Sequence, residues 1–157
     1  MDKAGEIRDL MSDEWLPAIY RLKVRTQRTR SFTLEIPERE NSAEIQYTLL
    51  GIELKVGKRR FACPDLAAAR YLRVFARLGV REFAVPYDIT KISSIADELE
   101  TSWQRLLILL SERARGRSSR SAAQMRSKAI HDIRHEVITI GPGDAMPAFD
   151  RPTTQRR

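Results

Sequence analysis

PDLAAARYLRVFARLGVREFAVP, residues 64–86, carries several local signals that agree with one another. Pro64 stands where a helix can start without losing a needed donor, and Gly79 stands where one can stop. Between them Ala68, Tyr71, Leu72, Phe75 and Leu78 recur at helical spacing, with Arg70, Arg73 and Arg77 on the opposite side and Leu66 nearer the arginines. Val80 to Val85 then reads as a short buried strand. A helix feeding a strand predicts an α/β (α+β) protein.

Working outward toward the N-terminus, Ala4, Ile7, Leu10, Met11 and Trp15 predict an amphipathic helix over 2–16, weakened by Gly5 and ended by Pro17. From Ala18 the apolar period becomes two. Tyr20, Leu22 and Val24 alternate with Arg21, Lys23 and Arg25, and Phe32, Leu34 and Ile36 alternate with Thr33 and Glu35, which predicts a hairpin. Ile45, Tyr47 and Leu49 predict a third strand, with a bulge at Gly51 where the phase shifts to Ile52, Leu54 and Val56. Gly57-Lys58 supplies a tight turn into Arg59–Ala62. The expected order is N-terminal helix, antiparallel meander, crossover helix and strand.

Toward the C-terminus, Asp88 is expected to cap a helix running to about Ala114, with the stripe Ile92, Ile95, Ala96, Leu99, Trp103, Leu106, Leu107 and Leu110. Residues 106–110 are apolar all round, and one face of a domain cannot cover all five. They are expected to be covered by a second copy of the chain, making a homo-oligomer through residues 92–110, or by the C-terminal segment. Gly116 to Lys128, rich in Ser and Arg and free of acids, reads as a linker. His135 to Ile140 reads as a short strand or docking segment, and 141–157 as disordered. The expected organisation is a domain over 1–115 and a basic, largely flexible tail over 116–157.

Charge and cysteine content narrow the function classes. The net charge is +7, of which residues 1–115 hold +3 and residues 116–157 hold +4, so the body of the chain is only mildly basic. One cysteine, Cys63, excludes an internal disulfide, and its place before a helix start raises the option of a lowered-pKa thiol beside that of a buried structural residue. The acids among the first fifteen residues leave no signal-peptide core, and no apolar run is long enough to span a bilayer; a cytoplasmic location without membrane contact is expected.

Glu53-Leu54-Lys55 places an acid and a lysine on one face of a strand, where the carboxylate can hold a divalent metal and the lysine can stabilise charge on a phosphate. This pair, with the order helix, three strands, helix, strand over residues 2–86, resembles the PD-(D/E)xK nuclease core. The resemblance implies a metal-dependent nuclease using Glu53, Lys55 and an upstream acid, Glu35 or one of Glu38, Glu40 and Glu44; Pro64-Asp65 follows the pair and so departs from the family order. The same residues with Arg21 and Lys23 also suit the solvent face of an antiparallel sheet, pairing across strands.

Three further groups complete the reading. His131 and His135 are spaced i, i+4, which on a helix sets two imidazoles on one face; the run is similar to the H-E-x-x-H zinc signature with Asp132 for its glutamate and no third ligand. His131-Asp132-Ile133-Arg134 also resembles the phosphoacceptor box of sensor histidine kinases, without its proline or a nucleotide-binding domain. Arg21, Lys23, Arg25, Arg28 and Arg30 with Lys58, Arg59 and Arg60 form basic clusters suited to phosphates, with no stacking platform among the aromatics. The leading expectation is a non-enzymatic binding domain, nucleic-acid-associated through these residues and needing no cofactor. Its alternatives are the nuclease, with a divalent metal, and a protein adaptor.

Overall fold

The computed structural model describes residues 3–143 and shows a mixed α/β chain with antiparallel sheets. Helix α1 spans Lys3–Met11, followed by a 3-10 turn at Ser12–Glu14. A short helix α2, Leu16–Ile19, runs on through a π-helical turn at Tyr20–Val24. Strands β1 (Thr29–Thr33), β2 (Ala43–Thr48), β3 (Gly51–Val56) and β4 (Arg59–Cys63) precede helix α3, Leu66–Leu78. Strand β5, Glu82–Pro86, leads through a 3-10 turn capped by Asp88 into α4, Ile92–Arg113, and α5 spans Ser119–Ile140.

The strands form two sheets, a β2–β3–β4 meander and a β1–β5 ribbon. The α3 helix joins them, because its apolar face is buried against both. Phe75 stacks on Phe83 of β5 at 4.2 Å, and Tyr71 meets the same two rings at 5.1 and 6.3 Å. On the meander side, Leu54 and Val56 are buried. The arginine side of α3 pairs with α4: Arg70 binds Asp97 and Glu100, and Arg73 binds Glu100.

The start and end of α3 follow from its caps. Asp65 accepts from Ala68 N–H at 2.8 Å as N-cap. Gly79 closes the helix at φ 77°, and a Cβ there would overlap the Arg39 backbone, so this position needs glycine twice over. The orphaned terminal carbonyls find donors elsewhere in the chain. Asn41 Nδ2 and N–H reach Ala76 O and Arg77 O at 3.1 and 3.2 Å, and Arg134 Nη1 reaches Leu78 O at 2.9 Å.

The β1–β5 ribbon is protected on its β5 edge by two tyrosines. Leu34 N–H donates to Arg81 O and Tyr87 N–H to Arg28 O, so the alternation of an antiparallel pair turns the N–H and C=O of Ala84 away from β1. Ala84 N–H donates to Tyr20 Oη at 2.8 Å, and Tyr71 Oη donates to Ala84 O at 2.7 Å. Tyr20 Oη in turn donates to Gly141 O at 2.6 Å. Burial raises both phenol pKa values, that of Tyr71 well above its ordinary value.

Several local expectations are corrected. Residues 18–24 are helical, and Pro17 lies in the first turn of α2 instead of ending a helix. The buried residues there are Leu16, Ile19, Tyr20 and Val24, at helical spacing, while Leu22, assigned to the core by the period of two, is 56% exposed. β1 therefore has no hairpin partner before it and pairs with β5. Instead of a bulge at Gly51, a two-residue turn at Leu49-Leu50 makes β2–β3 a hairpin. The linker and strand expected over 116–128 and 135–140 are replaced by α5, capped by Ser118 and burying Met125, Ala129, Ile130, Ile133 and Val137. The expectation for 144–157 lies outside the described residues.

The over-apolar end of α4 is partly covered within the chain. Helices α1 and α5 pack on α4, and Leu106 and Leu110 are buried, with Ile108 the large apolar residue left facing water. Part of the cover expected from a second copy or the C-terminal segment is thus supplied within the chain, while Leu107 and Leu109 stay half-buried. Among the described residues, no helix is long and apolar enough to cross a membrane.

Candidate docking cleft

Glu53 and Lys55 do lie on one face of β3, but the face is a cross-strand polar ladder. Glu44 stands opposite Lys55, and Arg60 reaches Glu53 at 3.2 Å and Gln46 at 3.1 Å. Glu35 is exposed in the connection between the two sheets, and Glu40 pairs with Arg126 of α5. Among the described residues, no three His, Cys, Asp or Glu side chains come together to hold a metal. Glu53 is thus engaged by Arg60, and Lys55 faces Glu44 across the same ladder.

The basic residues are equally dispersed. Arg21 and Lys23 line different surface grooves beside α2, and Arg25 is turned inward to Thr29 Oγ1 at 3.0 Å. Arg28 lies over the Tyr87 ring at 4.2 Å. Lys58, Arg59 and Arg60 sit at the β3–β4 turn, the opposite end of the meander from the β2–β3 turn. Burial pushes the Cys63 thiol up, which suits a structural residue and not a nucleophile. His131 and His135 are both exposed on α5.

Large apolar side chains are exposed together at the end of the molecule where α3 begins. Ile45, Tyr47 and Ile52 share the inner face of the meander with Leu54 and Val56, yet cover fades toward the β2–β3 turn and Tyr47 is 72% exposed. Leu49 and Leu50 form that turn and are fully open to water. Ile52 stands opposite Cys63, which leads at once into Pro64 and the first turn of α3, where Leu66 is exposed. Ile89 adds another exposed apolar side chain beside this start.

Within this end lies an apolar cleft with a cavity of about 140 Å³. Tyr71 and Leu72 of α3 line it, with Phe32 and Val85 from the ribbon, Ala62 from β4 and Ile92 from α4. Exposed Arg30 and Asp65 supply its two charges. It is more enclosed than the wider groove of about 530 Å³ beside Asp13, Glu14, Asp97 and Glu98.

Three strands line the cleft, and two of them, β1 and β4, present an outer edge beside it: among the described residues β1 pairs with β5 alone and β4 with β3 alone. The alternation that turns Ala84 away from β1 also turns the backbone of Ser31 away from β5. On β4, the two-residue turn at Gly57-Lys58 makes Val56 and Arg59 a hydrogen-bonded pair, so Ala62 points its N–H and C=O away from β3. Periodicity identified Phe32, Tyr71 and Leu72 as apolar, but nothing local to them signals that they share a cavity. No protein-family model, curated protein or solved structure matches the chain.

Proposed function

We propose that this chain is a non-enzymatic docking module that receives an extended polypeptide segment of a partner protein in the cleft lined by β1 and β4. The observation that carries this is the apolar cavity beside two edge strands, β1 and β4, whose outward backbone groups pair with no other strand among the described residues. Strand addition uses such backbone groups for affinity and a side-chain pocket for specificity. A dry apolar cavity of about 150 Å³ takes one benzene-sized group, so the cleft suits a single large apolar anchor.

Tyr47, Leu49 and Leu50 are a further exposed apolar group, at the β2–β3 turn. A protein partner fits better than nucleic acid. Phosphate binding rests on cations gathered along one surface, whereas here Arg60 is already paired and the others are divided among the Tyr20–Val24 turn, β1 and the β3–β4 turn.

Peptide display selection against the protein tests this. Enriched sequences should share one large apolar residue in an extended context and lose binding to Ala68→Trp, which fills the cavity that Ala68 lines. They should also bind Ala62→Pro more weakly, because that change removes an outward donor from an edge position that tolerates proline. Circular dichroism checks that both variants keep the fold. Peptides that bind both variants as tightly as the parent would refute the reading.

A further inference from the structure

On α5, independently of the docking cleft, His131 and His135 stand one helical turn apart with ring centres 6.3 Å apart and ring planes within 9° of parallel. We propose that this exposed pair is a binding site for a divalent transition ion of borderline softness: Cu²⁺, Ni²⁺ or Zn²⁺. Neutral imidazole suits these ions, whereas Mg²⁺ and Ca²⁺ select oxygen ligands.

The helix holds the two rings in register before any ion arrives. On its opposite side Ile130, Ile133 and Val137 are buried. Arg134 Nη1 donates to Leu78 O at 2.9 Å, and Glu136 accepts from Trp15 Nε1 and Arg8 Nη1, both at 3.1 Å. The ion therefore does not have to order the segment, a cost that a site on a loose tail would carry. Zinc–imidazole bonds are about 2.0–2.1 Å, and exposed rings at i and i+4 converge to that distance by side-chain torsion alone.

The neighbouring carboxylates are engaged elsewhere: Asp132 binds Lys128 at 2.7 Å, and Glu136 holds Arg8 and Trp15. The protein thus supplies two nitrogens, and water fills the other positions. This accords with the absence of any three-ligand group among the described residues and leaves the ion open to a further ligand. Copper should bind most tightly, following the general order of divalent affinities.

The test is calorimetric titration of the tag-free full-length protein with Ni²⁺ near pH 7.5, with Cu²⁺ electron paramagnetic resonance as a second measurement. One ion per chain is expected, with superhyperfine structure from two nitrogens. His131→Ala and His135→Ala should each weaken Ni²⁺ binding tenfold or more, because the second imidazole acts at high effective concentration. Both residues are exposed, so far-ultraviolet circular dichroism should be unchanged, and Cys63→Ser should bind as the parent does. Binding that survives the double histidine variant, or that disappears with Cys63→Ser, would overturn the proposal.

Discussion

Tyr71→Phe tests the idea that two phenols close the β5 edge. The substitution removes one oxygen and keeps the ring that packs on Phe75 and Phe83. What it loses is the hydrogen bond to Ala84 O, in a site where Tyr71 is 1% exposed and water cannot take over. An unsatisfied buried acceptor costs about 1–3 kcal/mol. For a chain of this size each kcal/mol corresponds to about 2–4 °C in Tm. Urea unfolding followed by circular dichroism should show a lower midpoint with an unchanged slope, as expected when stability alone changes. Tyr20→Phe should cost more, because it leaves both Ala84 N–H and Gly141 O without a partner. The two effects should not add, since both phenols act on the same residue. A midpoint for Tyr71→Phe within 0.5 kcal/mol of the parent, on the order of the experimental scatter, would refute the edge-closing role.

The same phenols predict alkaline sensitivity. Their folded pKa values lie above the ordinary value near 10, so their contribution is complete below that pH and is lost as pH rises from there through the folded values. Thermal melts between pH 8 and 11 should show the parent losing more stability than Tyr71→Phe. Gly79→Ala should destabilise by several kcal/mol, well beyond the ordinary ~1 kcal/mol of a left-handed residue, because the added carbon meets the Arg39 backbone; chemical denaturation measures it. Truncation after Arg117 should expose the side chains that α5 covers and leave Leu78 O without Arg134, so dye binding to apolar surface should rise and cooperative unfolding be lost. Arg134→Ala alone should cost about 1–3 kcal/mol in the same denaturation assay.

Elements whose signals are local were legible in the sequence. The α3 helix was readable from Pro64 to Gly79 because its caps, stripe and stop lie within one window, and β5 and α4 followed from the same kind of signal. Misreadings arose where one pattern serves two structures. Tyr20, Leu22 and Val24 alternate, yet Tyr20 and Val24 are also i, i+4, and the packing of Leu16 and Ile19 beside them selected the helix. The α5 helix was hidden by composition. Its buried stripe is five residues set in Ser, Arg and Gln, so its stability depends on the core it covers more than on its own propensity.

The candidate sites divide along the same line. Glu53-Leu54-Lys55 was correctly placed on one strand face, but whether that face is a metal centre or a charge ladder depends on residues brought from β2 and β4. The spacing of His131 and His135 was visible in the sequence, and only the helix made it a geometry. By itself the sequence determined the α/β class, the limits of α3 and the chemical types of the cleft residues, because capping and apolar period act within a few residues. The tertiary structure alone decided that β1 pairs with β5 across about fifty residues and that two tyrosines close the far edge of that ribbon. It also decided that the cleft opens beside β1 and β4. Strand pairing and side-chain packing are long-range contacts, and no local pattern encodes which distant partner satisfies them.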